Sequence, residues 1–122
     1  MGDRANFGFR DHKGDIVFLY GHWAGHQMLG HLAEAVSAAE PRWTDESYAT
    51  RICISNLIGE SWKPLTGWGI YINQIGDNEH KIPVIDWANQ TFTLYEEDLE
   101  TIVFSSSLDA FVKKYSLSTS MV

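Results

Sequence analysis

The chain has 122 residues, 44% hydrophobic and 20% charged, enough to bury a single core without a metal or disulfide staple. Sixteen acids against nine bases give a formal charge of −7, a mean field that repels a polyphosphate backbone and argues against general nucleic-acid binding. No apolar run approaches the roughly 18 to 20 residues needed to cross a bilayer, and Met1-Gly2-Asp3-Arg4 lacks a secretory core and the myristoylation pattern, so a soluble cytoplasmic protein with no membrane partner is expected.

The first strand-like segment, residues 3–10, alternates Arg4, Asn6 and Arg10 with Ala5, Phe7 and Phe9. A period of two puts these sets on opposite pleat faces. Burying the phenylalanines leaves two guanidiniums and a carboxamide aligned on the other face, suited to an anionic or amide-bearing ligand. Asp11-His12-Lys13-Gly14 predicts a hairpin into a second strand over 15–21. There Ile16, Phe18 and Tyr20 share one face and Val17 and Leu19 the other, so both faces are expected to be covered. A helix is predicted from near Ala24 to Glu40-Pro41, with Met28, Leu29, Leu32, Val36 and Ala39 as its stripe. Thr44 or Asp45 caps a second helix that Gly59 ends, with Tyr48, Ala49, Ile52, Cys53 and Leu57 inward. The lone Cys53 is thus read as a small core residue in a reducing compartment.

Residues 67–74, 81–87 and 91–96 read as strands separated by turns at 76–80 and 88–90, a three-strand meander. Thr101-Ile102-Val103-Phe104 reads as a short strand before a final helix with Leu108, Phe111, Val112 and Tyr115 inward. Ser105 to Ser107 are available to cap it, and Lys113 and Lys114 lie at its negative end. The expected fold is α+β: an antiparallel sheet of about five strands with three helices mainly on one face, in the order β-β-α-α-β-β-β-α, as one domain over 1–122.

Several residue groups carry chemistry. The turn Gly76-Asp77-Asn78-Glu79-His80 gathers two carboxylates, an amide and an imidazole, suited to ribose hydroxyls, a general acid or base, or a cation, although Gly, Asp and Asn also serve turn geometry alone. His22, His26 and His31 have no HExxH or CxxC companion, and no metal or other cofactor is expected. His22-Trp23 offers a donor beside a stacking ring. Arg42-Trp43 and Arg51, together with Arg4, make a phosphate-binding cluster if they meet, and ordinary surface ion pairs if they do not. Gly67-Trp68-Gly69 lacks the helix and Lys-Ser/Thr of a phosphate loop and is read as a tight strand entry. No GxSxG, Cys-His or paired-acid pattern marks a nucleophilic enzyme.

The string Gly2-Asp3-Arg4-Ala5-Asn6, with His22-Trp23, Arg42-Trp43, Tyr48 and Arg51, Gly67 to Ile70 and Gly76 to His80, resembles a family of small uncharacterised proteins of bacteria and their phages, over about residues 2–96. The resemblance brings no activity to transfer. Small phage proteins of this size include counter-defence factors, one class of which sequesters host nucleotide signals without turning them over; a phage-encoded chain would act in the host cytoplasm.

Three functions are therefore weighed. The first is a non-enzymatic binder, expected to be a homo-oligomer, that captures an anionic nucleotide such as a cyclic nucleotide or an ADP-ribose-derived signal. Arg4 and Arg51 would hold phosphate, with Arg42 beside them, Asn6 and Asp77, Asn78, Glu79 and His80 would bind base or ribose, and Trp23 or Trp43, next to His22, would stack. The second is a hydrolase or lyase on a similar substrate, with His22 or His80 as base and Asp77 or Glu79 orienting it. The third is a protein-interaction module that inhibits a host factor through exposed tryptophans.

Overall fold

The computed structural model describes residues 2–116; residue 1 and residues 117–122 of the expected 1–122 domain lie outside the described residues. Ten elements follow in order: β1 (Ala5–Arg10), β2 (Ile16–Gly21), α1 (Met28–Ala38), a 3-10 turn (Glu40–Arg42), α2 (Glu46–Ile58), β3 (Trp68–Ile72), β4 (Ile82–Asp86), β5 (Thr91–Tyr95), β6 (Ile102–Ser107) and α3 (Leu108–Tyr115).

The α+β architecture with three helices is present, and the sheet corrects the expected one in two respects. It has six strands rather than about five, in the spatial order β3-β2-β1-β4-β5-β6. It is mixed rather than antiparallel, because β1 and β4 run parallel at its centre, with Phe9 opposite Ile85. The meander is β4-β5-β6, whereas β3 pairs antiparallel with β2 at the far edge. The chain therefore leaves one edge at β3, crosses over the sheet through residues 73–81 and re-enters at the centre. The sixth strand extends through Ser105, Ser106 and Ser107, beyond the 101–104 segment that the sequence suggests. Ser105 accounts for this: its hydroxyl lies 3.2 Å from Thr93 Oγ1 across the ladder and donates to the Phe92 carbonyl at 3.1 Å. Ser107 alone caps α3, accepting from the Ala110 N–H.

The period of two in β1 sets the layers. Ala5, Phe7 and Phe9 are buried beneath the helices with Leu19, Ile85 and Phe92. Fully burying each phenylalanine stabilises by roughly 1.5–3 kcal/mol. From the helical side, Leu32, Ala33, Val36, Ala49, Cys53, Leu108 and Phe111 meet them, so all three helices lie on one face. Phe111 stacks on Phe92 at 4.0 Å between ring centroids. On the opposite face Phe18, Ile82 and Val84 form a smaller cluster, against which Ile75 and Leu99 pack from the loops after β3 and β5. Helix α1 begins at Met28 rather than near Ala24, because Gly25 donates its N–H to the Asp3 carbonyl and Gln27 takes a left-handed φ of 53°. None of the helices among the described residues is long and apolar enough to cross a membrane.

Candidate functional site

Most of the motifs quoted from the sequence meet one another at a single place, the end of the sheet where β1 begins. A Cβ on Gly2 would lie 2.7 Å from His22 Nε2, so the glycine lets the amino-terminal segment lie against that ring. Asp3 Oδ1 is 2.5 Å from His80 Nε2. The pair packs on Gly25, where any side chain would collide with both. Two hydrogen bonds join Arg4 and Glu79: the Arg4 N–H donates to the side-chain Oε1 of Glu79 at 2.8 Å, and the Glu79 N–H donates to the Arg4 carbonyl at 2.9 Å. Asn6 is wholly buried. Its oxygen accepts from Gly76 N–H at 3.0 Å, and its amide donates at 3.1 Å to both the Asp77 carbonyl and Asn78 Oδ1. Asn78 in turn donates to the His80 carbonyl and to Glu97 Oε2.

This arrangement differs from the open basic face that the alternation suggests. The face is roofed by the 76–80 turn, and Asn6 spends its hydrogen-bonding capacity holding that roof. The Arg4 guanidinium lies between two carboxylates, with Nε 3.4 Å from Glu79 Oε1 and Nη1 3.8 Å from Asp77 Oδ2. Its buried Nε has the charge of Glu79 nearby without hydrogen-bond alignment. The Arg4 N–H holds the Glu79 carboxyl below its ordinary value, aided by the adjacent guanidinium. Burial raises the Tyr20 phenol, with Asp77 adding to the effect, and its hydroxyl is 3.0 Å from His22 Nδ1.

The other arginines do not join Arg4. Arg42 stacks on Tyr48 at 5.2 Å and lines a cleft of about 680 Å³ at the opposite pole, with His12, Glu46, Trp43 and Trp87. Both indoles there are buried and their N–H groups are already used, Trp43 on the Val36 carbonyl and Trp87 on Thr50 Oγ1. Trp43 is therefore a core ring rather than a stacking platform. Arg51 is exposed on α2, donates to Ser55 Oγ at 3.4 Å and lines a different apolar groove with Ile54 and Ile70.

Trp23 alone among the expected stacking rings is free. It is 69% exposed, and the His22 ring stands edge-on to it at 4.4 Å between centroids. Two adjoining cavities, of about 260 Å³ and about 430 Å³, share Trp23 and Trp68 as walls. His26, His31, Phe7 and Leu57 complete the first; Ser61, Pro64, Thr66 and Gly67 complete the second. Together they form an aromatic cleft between the amino end of α1, the carboxyl end of α2 and the loop into β3. In the sequence Trp68 shows only as part of a strand entry. The signal for it is Gly21, where a Cβ would come within 2.8 Å of the Trp68 ring, a contact across the ladder that sequence order does not display. In the 59–67 loop, Lys63 Nζ sits 5.7 Å from the Trp62 ring.

The Asp3–His80 pair has the form of an oriented base, yet its carboxylate is Asp3 and not Asp77 or Glu79. The cleft that His80 lines, about 440 Å³, also carries Glu79, Glu96 and Glu97 against the single cation of Lys81, which lies 3.9 Å from Glu96, so the lining is net negative and disfavours an anionic substrate. No cluster of three or more potential metal ligands occurs among the described residues. Comparison with protein-family models, curated proteins and solved structures finds no match.

Proposed function

We propose that the protein is a binding module that captures a planar, nucleobase-bearing small molecule in the Trp23–Trp68 cleft and releases it unchanged. One observation carries this reading: Trp23 leaves 69% of its surface in solvent while sharing with Trp68 the walls of two adjoining cavities. An indole so placed supports stacking, worth roughly 1–3 kcal/mol per base. His26 and His31 supply polar groups at the rim.

A molecule of charge −7 gains little from long-range attraction to phosphate, so affinity rests on the ring and the phosphates extend outward past the histidines. Sequestration of a nucleotide signal needs no more than this. The deciding experiment incubates the protein with cyclic and linear mono- and dinucleotides, follows tryptophan fluorescence, then heats the mixture and identifies the released ligand by chromatography. Quenching with intact ligand returned supports capture. Altered ligand would assign chemistry, with the Asp3–His80 pair as its first candidate, and no quenching by any base would end the proposal.

A further inference from the structure

We propose that β3 pairs antiparallel with β3 of a second copy of this chain about a twofold axis through Ile70, joining two six-stranded sheets into one. The inference is independent of what the aromatic cleft holds.

The backbone makes the first part of the case. Among the described residues β3 has one sheet neighbour, β2, so its other edge is open. His22 N–H donates to the Gly67 carbonyl and Asn73 N–H to the Ile16 carbonyl, each at 2.8 Å. In the register that sets Leu19 opposite Ile70, these bonds make 67, 69, 71 and 73 the positions that face β2. Trp68, Ile70 and Ile72 consequently aim their N–H and C=O groups at the open edge. An antiparallel partner centred on Ile70 places Ile70 opposite its own copy and Trp68 opposite Ile72, an isologous arrangement in which every outward group finds a mate.

Side chains and charge make the second part. The same three residues project toward the helical side of the sheet, where Ile70 and Ile72 are 58% and 59% exposed because α2 stops short of the edge. The groove between Ile70 and α2 has an apolar floor of Phe9, Val17, Ile54 and Ile70, with Asp11, Asp15, Glu46 and Arg51 also in its lining. Residues 64–76 contain no charged residue and no histidine, the longest such stretch in the chain. On a molecule of charge −7, the pairing strand itself therefore brings no like charge against its copy. The opposite edge, β6, has a register irregularity against β5 and is flanked by Asp98, Glu100 and Asp109, the protections expected of an edge that stays single. Strand β3 has neither: its ladder to β2 is regular, and its only prolyl neighbour, Pro64, precedes the strand.

The test is sedimentation of the full chain together with cross-linking. The wild type should sediment with twice the 13.8 kDa mass of one chain. Ile70→Cys should give a disulfide-linked dimer on mild oxidation, because directly opposed Cα atoms in such a pair lie about 5.5 Å apart and the native Cys53 is buried. Ile70→Pro removes an N–H that the internal ladder does not use, so it should keep the wild-type circular dichroism and sediment at half the mass. Ile102→Lys on β6 should leave the dimer intact. A monomeric wild type, a cross-link that fails to form in Ile70→Cys, or dissociation by Ile102→Lys with a persistent dimer in Ile70→Pro would each overturn the pairing.

Discussion

The carboxamide of Asn6 accepts a hydrogen bond from the backbone N–H of Gly76, 70 residues further along the chain, at 3.0 Å and in a wholly buried position. A polar side chain on a central strand is thereby the clasp that holds the crossover loop against the sheet. Replacing it leaves the part-buried Gly76 N–H and Asp77 carbonyl without their partner. Asn6→Ala should cost about 1–3 kcal/mol, the range for a hydrogen-bonding group left unsatisfied in a site that water reaches poorly, and should lower the Tm by roughly 3–15 °C. Asn6→Asp should not rescue it, because a carboxylate cannot donate to the Asp77 carbonyl. Thermal melts followed by circular dichroism measure both; a melt within a degree or two of wild type would remove Asn6 from this role.

The two tryptophans of the cleft should separate binding from stability. Trp23 is mostly in solvent, so Trp23→Ala should change stability by no more than about 0.5 kcal/mol while weakening a stacked ligand about 10-fold or more. Trp68 packs against the main core and against Gly21, so Trp68→Ala should lose both. Equal affinity in wild type and Trp23→Ala, measured by calorimetry with the nucleotide that quenches best, would place the ligand elsewhere.

Local patterns in the sequence foretell local structure here. The alternation from Ala5 to Arg10 becomes β1, the Asp11 to Gly14 turn becomes a hairpin, and the stripe through Ala49 and Cys53 becomes the inner face of α2. What stays hidden is non-local. The parallel pairing of Phe9 with Ile85 depends on where the crossover loop lies, and no residue in either strand records its partner. The candidate site behaves the same way. Arg4, Asn6, Glu79 and His80 are visible as chemistry-bearing residues, but alternation cannot tell an open face from one whose polar groups are answered by a loop more than 70 residues away. Trp43 and Trp23 each follow a basic or titratable neighbour in sequence; burial makes one a core ring and leaves the other in solvent.

Cys53 should be inert in the native protein. It is fully buried, and burial pushes its thiol up to about 12 from an ordinary 9.0. At pH 8 that leaves roughly 1,000-fold less thiolate than an exposed cysteine would hold. Labelling by a disulfide reagent should therefore track the opening of the fold, rising to the full rate in denaturant. Prompt stoichiometric labelling without denaturant would show that the α2 face is open.

The clasp at the start of β1 should loosen in acid. Glu79 has a folded pKa below its ordinary 4.5, chiefly because its carboxylate accepts the Arg4 N–H, and Asp98 lies below 3.8 because it accepts from Thr101 and Glu100. A depressed carboxylate contributes its stabilisation fully above its unfolded pKa and loses it as pH falls through the folded value. Stability should thus be flat in these groups near neutrality and decline from about pH 4.5 downward as the two carboxylates protonate. Glu79→Gln keeps an oxygen for the Arg4 N–H but removes the charge beside the guanidinium. It should be slightly less stable than wild type at pH 7, with the difference shrinking as both are taken toward pH 3. Denaturant titrations of the two proteins across that range supply the check: a gap that widens on acidification would mean that the carboxylate of Glu79 is a burden on this corner of the fold.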